Sequence, residues 1–128
     1  MYAEELTDFF ELGQGEFPHF DVIHRGMGPD SHTASLFPGE PLINDREGLA
    51  AAVYVDKLSQ YRITLLPAVL LAARHTVMLV TGDDKAEAVK ATFEGPYDPM
   101  VHPAQILGHH GRHVTWFFDE AAARLLGD

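Results

Sequence analysis

The chain has 128 residues, 46% of them hydrophobic and 22% charged, the ordinary balance of one soluble globular domain with a single core. Nineteen acidic residues against nine basic ones give a formal net charge of −10, a surface that repels phosphate backbones and excludes nucleic acid as a partner. With no cysteine, disulfides, thiolate metal sites and thiol nucleophiles are excluded as well.

The first residues, Met1 to Leu6, have neither the basic start nor the apolar run of a signal peptide. The longest apolar stretch, Leu65 to Ala73, contains Pro67 and is too short to cross a bilayer, so a cytoplasmic protein with no membrane contact is expected. Tyr2, Leu6, Phe9 and Phe10 are spaced to form one apolar face and predict a helix over 2–11, ended by Gly13, Gly15 and Pro18. Phe20 to Gly26 reads as a strand running into the turn Gly26–His32. Pro38, Gly39 and Pro41 make 36–44 a loop, and 48–56 carries no decisive pattern. A short strand is expected over 62–65, with Pro67 opening a helix over 67–74. Thr76 to Thr81 is apolar at almost every position, which predicts a central strand covered on both faces. Gly82, Asp83 and Asp84 open a helix that Gly95 and Pro96 stop. A short helix over 103–107, a polar loop over 108–112, a strand over 114–118 and a helix over 120–126 complete the chain. Strands alternating with helices predict a single α/β domain over 1–128, with a mostly parallel sheet flanked by helices.

Parallel sheets build their sites at the carboxyl ends of strands, which is where Gly26-Met-Gly28-Pro-Asp30-Ser-His32 falls. Glycines at 26 and 28 allow close backbone approach to a ligand, and Asp30 and His32 arrive together. By itself Gly-x-Gly fits a structural turn as well as a site, and a carboxylate beside an imidazole fits a solvated loop pair. A dinucleotide fingerprint is contradicted by Pro38, Pro41 and the lack of a following amphipathic helix. Lys85 falls in the first turn of a predicted helix, where the macrodipole disfavours a cation. An anion site is one explanation, and neutralisation by Asp83 and Asp84 is the other. Arg62 alone reads as a strand-edge cation. His109, His110 and His113 have no carboxylate at ligand spacing, so a solvated loop is expected rather than a metal site. No metal or cofactor is expected anywhere. His75 reads as a helix C-terminal cap, and Trp116, Phe117 and Phe118 as core.

The turn extends into Thr33-Ala-Ser-Leu-Phe-Pro-Gly39, and further segments follow in order: Tyr61-Arg-Ile-Thr-Leu-Leu-Pro67, Ala73-Arg-His75, Val80-Thr-Gly-Asp-Asp-Lys85-Ala86, Gly95-Pro-Tyr-Asp98 and Val114-Thr-Trp-Phe-Phe-Asp-Glu-Ala-Ala122. Taken as one string this resembles the 6-phosphogluconolactonase family, whose turn is typically Gly-Met-Gly-Pro-Asp-Gly-His-Thr-Ala-Ser-Leu-Phe-Pro. The resemblance implies the C-terminal half of the sugar-phosphate isomerase/lactonase fold and hydrolysis of a small phosphorylated sugar lactone in the pentose phosphate pathway. It makes His32 the general base toward water, a task suited to an imidazole, and Asp30 its electrostatic support. It gives Arg62 and Lys85 the substrate phosphate, and the Gly26–Gly28 backbone the sugar pocket. Two other readings stay open: a non-catalytic sugar-phosphate-binding module, and a relative of the amino-sugar phosphate deaminases. The latter share Asp-x-His but usually continue Ala-Phe-Asn-Glu, where this chain has Ala34-Ser-Leu-Phe-Pro38.

Three departures stand out. Family members carry an N-terminal half with a Gly-Gly-Ser/Thr phosphate loop that has no counterpart here. Ser31 stands where the family has glycine, and His24 and Arg25 where it has apolar residues. An isolated half implies an incomplete site and an uncovered surface, hence a homo-oligomer or pairing with an N-terminal-half chain.

Overall fold

The computed structural model describes residues 1–127. In chain order the elements are α1 (Tyr2–Phe9), β1 (Val22–Arg25), β2 (Ala50–Val55), β3 (Gln60–Leu65), α2 (Pro67–Ala72), β4 (His75–Val80), α3 (Ala86–Glu94), α4 (Gln105–His110), β5 (Val114–Phe118) and α5 (Glu120–Ala123). The α/β class expected from the alternation is the class observed. β1, β4 and β5 form a parallel sheet with β4 in the middle, whereas β2 and β3 form a separate antiparallel hairpin.

The register fixes which side chains share a face. Ile23 stands beside Thr76, Met78 beside Trp116 and Val80 beside Phe118. This row turns toward the helices and joins Leu36, Ile43, Leu70, Val89, Ile106 and Leu107 in one apolar cluster. Phe93 of α3 meets Trp116 edge-on at 4.8 Å and Phe118 at 5.7 Å, so α3 is stitched to β5 by aromatic contacts. Asp119 ties the ends of β4 and β5 together: its carboxylate accepts from Ala122 N at 2.8 Å, capping α5, and from Gly82 N at 3.1 Å.

The opposite face is open. Val22, Leu79 and Phe117 point there and are 57%, 50% and 54% exposed. The expected two-sided coverage of β4 is therefore corrected: an apolar run marks a central strand but does not say that both faces are covered. Phe117 is likewise not core.

Smaller corrections follow the same local logic. Residues 48–56, ambiguous in sequence, hold β2, because pairing with β3 supplies what three alanines in a row do not. The helix expected from Gly82 begins as a single 3-10 turn, Asp83–Lys85, before α3. His109 and His110 belong to the last turn of α4 rather than to a loop, and His75 is the first residue of β4 rather than a helix cap. Among the described residues no helix is long and apolar enough to cross a membrane.

Candidate active site

The turn after β1 is held from several sides. Gly28 N–H donates to the His32 carbonyl and Ser31 N–H to the Gly28 carbonyl, both at 3.0 Å. Ser31 O accepts from Ala104 N at 2.9 Å, Thr33 Oγ1 donates to the Gly26 carbonyl, and Ser35 N–H donates to Thr64 Oγ1 on β3. Met27, Ser31 and Thr33 are buried. The sequence thus turns a glycine-rich loop into a rigid shelf at the carboxyl edge of the sheet.

On that shelf the structure brings Asp30 and His32 together. Asp30 Oδ1 lies 2.6 Å from His32 Nδ1 and also accepts from the His32 backbone N–H at 3.0 Å. Asp30 Oδ2 receives Lys57 Nζ at 2.5 Å. Burial pushes the Asp30 carboxyl up. The hydrogen bonds from Lys57 and from the His32 ring and backbone outweigh burial and hold it down at about 2. An ionised carboxylate only accepts, so Nδ1 of His32 is the donor and the neutral ring carries its lone pair on Nε2. That is the tautomer a general base needs. The ring also stacks on Phe37, 4.2 Å between centroids.

Gly28 is required by contact: a Cβ there would stand 2.1 Å from Cε1 of His32. Gly26 is not required in this way, since a Cβ would meet only the Leu79 carbonyl at 3.7 Å. Ser31 has φ 70°, the left-handed region that its residue type pays for with roughly 1 kcal/mol or more, and its hydroxyl reaches His102 Nδ1 at 3.3 Å.

Arg62 is on β3 opposite Val53, on the hairpin face shared with Thr64. It is exposed and has no ion pair among the described residues. Lys85 stands beyond the carboxyl end of β4, at the mouth of α3. Asp83, offered above as its neutraliser, pairs instead with Arg124, and Lys85 too lacks an ion pair among the described residues. Among the described residues no hydrogen bond or ion pair joins Arg62 or Lys85 to the Asp30–His32 pair, and the cavity beside Asp30 is lined by neither cation.

Sequence reasoning missed Lys57 and Phe37 as parts of this site. A cavity of about 420 Å³ opens beside Asp30, lined also by Phe37, Glu40, Tyr54, Asp56 and Lys57. Three carboxylates against one ammonium make it a poor seat for phosphate and a reasonable one for hydroxyls. No group of three or more potential metal-ligating side chains occurs among the described residues.

Residues 1–116 match the family described as glucosamine-6-phosphate isomerases/6-phosphogluconolactonase. The chain belongs to this family. A human relative named 6-phosphogluconolactonase is 41% identical over 127 residues, 98% of this chain and 48% of the relative. One from Synechocystis with the same name is 36% identical over 125 residues, covering 98% of this chain and 51% of its own length. The solved 6-phosphogluconolactonase of Trypanosoma brucei superposes with a TM-score of 0.82 at 26% identity, covering 98% of this chain and 51% of that one. The chain spans about half the length of the relatives it matches.

Proposed function

We propose that this chain carries the base-bearing part of a 6-phosphogluconolactonase, hydrolysing 6-phosphogluconolactone to the open acid in the cytoplasm. The observation that carries the reading is the Asp30–His32 pair, with Nδ1 committed to the carboxylate and Nε2 left free. Nε2 takes a proton from water as the water oxygen bonds to the lactone carbonyl carbon. The tetrahedral intermediate then collapses, the bond to the ring oxygen breaks, and that oxygen takes the proton back from the imidazolium. Asp30 stays ionised throughout and stabilises the charged imidazole. Arg62 and Lys85 grip the phosphate, which the acidic cavity beside Asp30 would repel. The backbone of Gly26 and Gly28 lines the sugar side.

The rest of the site is contributed by a part equivalent to the relatives' other half, on the same polypeptide or another, or by a second copy. Three features support this: the half-length match, the uncovered apolar sheet face with Val22, Leu79 and Phe117, and the buried Arg25 Nε, which has no hydrogen-bond partner. The test is turnover of 6-phosphogluconolactone by the purified chain, alone and with a candidate N-terminal-half chain. Loss of that turnover in His32→Ala is expected; unchanged turnover removes His32 from the mechanism. Ammonia release from glucosamine 6-phosphate would replace the reading with a deaminase, and binding of 6-phosphogluconate without turnover in any combination would leave a binding module.

A further inference from the structure

Lys57 stands in the hairpin turn between β2 and β3, a 3-10 turn over Asp56–Leu58 closed by Ser59 in the left-handed conformation. Its ammonium is 2.5 Å from Oδ2 of Asp30, the oxygen that His32 does not use. It also lies 5.2 Å from the centroid of Phe37, the ring on which the His32 imidazole stacks. A carboxylate held at one oxygen can turn about its terminal bond and exchange oxygens; one held at both keeps a single orientation.

We infer that Lys57 is a positioning residue for the general base: by pinning Oδ2 of Asp30 it keeps Oδ1 on Nδ1 of His32, and so keeps Nε2 of His32 free. The inference rests on the reading of His32 as the base. A substrate-gripping role for Lys57 fits the surroundings less well. Its ammonium is already committed to Asp30, and Glu40 and Asp56 line the same cavity, so a phosphate dianion there would meet three carboxylates. The hairpin turn then serves the base through Asp30 rather than by gripping the phosphate.

The test uses the whole chain and two variants, Lys57→Met and Lys57→Arg, followed by NMR. In the unaltered chain a low-field Nδ1 proton resonance of His32 is expected at neutral pH, assigned by its disappearance in His32→Gln. It should broaden or vanish in Lys57→Met and return in Lys57→Arg. The Asp30 carboxyl carbon should titrate near 2 in the unaltered chain and at about 3 or higher in Lys57→Met. Where turnover is measured, Lys57→Met should lower kcat about tenfold with KM unchanged, and Lys57→Arg should recover most of it. A Lys57→Met chain that keeps both the Nδ1 signal and the low carboxyl midpoint overturns the inference. So does a raised KM with unchanged kcat, which would mean that Lys57 holds substrate. Failure of the unaltered chain to hydrolyse lactone with any partner counts against the lactonase reading, and the NMR comparison still decides the part played by Lys57.

Discussion

The imidazole of His32 fills the space in which a Cβ on residue 28 would stand: that carbon would lie 2.1 Å from Cε1 and 2.2 Å from Nδ1. Glycine at 28 is thus set by the histidine four residues later, not by its own backbone angle. In Gly28→Ala the obstacle is a side chain, so the ring moves and the fold survives. Moving it breaks the 2.6 Å bond to Asp30 and the stack on Phe37. Because small misplacements of a base are costly, a loss of about 10²-fold in lactone hydrolysis is expected. Thermal unfolding should shift by no more than about 2 kcal/mol. A Gly28→Ala protein with full turnover would show that the base is elsewhere.

Asp30 gives a prediction with a sign. Its carboxyl sits at about 2 in the folded protein, below its ordinary 3.8. The folded state therefore favours the ionised form. The stability this contributes is fully present above the ordinary value and is lost as the pH falls from about 4 through 2. In Asp30→Asn that component is absent, so urea unfolding at pH 5, 4, 3 and 2 should show the two proteins converging as the pH drops. Turnover behaves differently. An amide can offer an N–H to Nδ1 and so select the tautomer with the proton on Nε2, which costs about 10²-fold or more at neutral pH. Parallel stability curves across this window would disprove the ionised, bonded carboxylate.

Ser31 separates backbone strain from hydrogen bonding. Its φ of 70° is uncomfortable for any residue with a Cβ, and its hydroxyl bond to His102 is long at 3.3 Å. Ser31→Ala keeps the strain and loses the bond, whereas Ser31→Gly loses both. The glycine variant should be the more stable of the two by about 1 kcal/mol, measured by chemical denaturation. An alanine variant that equals or exceeds it would mean that the left-handed conformation costs nothing here.

The Asp30–His32 turn was legible because its pairing is written in neighbouring residues: Asp30 and His32 meet across one intervening position. Every helix and four of the five strands were also visible as local patterns. What stayed hidden depends on contacts between distant segments. β2 escaped because Ala50–Ala52 carry little strand preference, and only the register with β3 makes them a strand. Lys57 escaped for the same reason, being 27 residues from Asp30 and delivered by the closing of a hairpin. The open sheet face could not be read at all. Val77, Leu79 and Phe117 look like core in any one-dimensional pattern, and only the packing of distant segments decides that Leu79 and Phe117 stay half exposed.

Gln105 was equally invisible, yet much of the helical layer depends on it. It is completely buried at the start of α4. Its carbonyl accepts from Asp98 N–H at 2.7 Å, and its amide donates to the carbonyls of Ala91 and Pro96, each at 2.9 Å. One side chain therefore satisfies the backbone at the end of α3 and along the following loop. Ala91 O has a second donor in Gly95 N–H, so it would not be orphaned by a substitution. Asp98 N–H and Pro96 O have no such reserve in the hydrogen bonds described. Gln105→Leu keeps the volume and removes both partners. Pro96 and Asp98 are themselves exposed, so water takes up part of the loss, and removing the Gln105 bonds should cost about 1–2 kcal/mol, a drop in Tm on the order of 5 °C. A leucine variant that melts with the unaltered protein would mean that water takes up the whole loss, and that the loop over 95–98 is held by something other than Gln105.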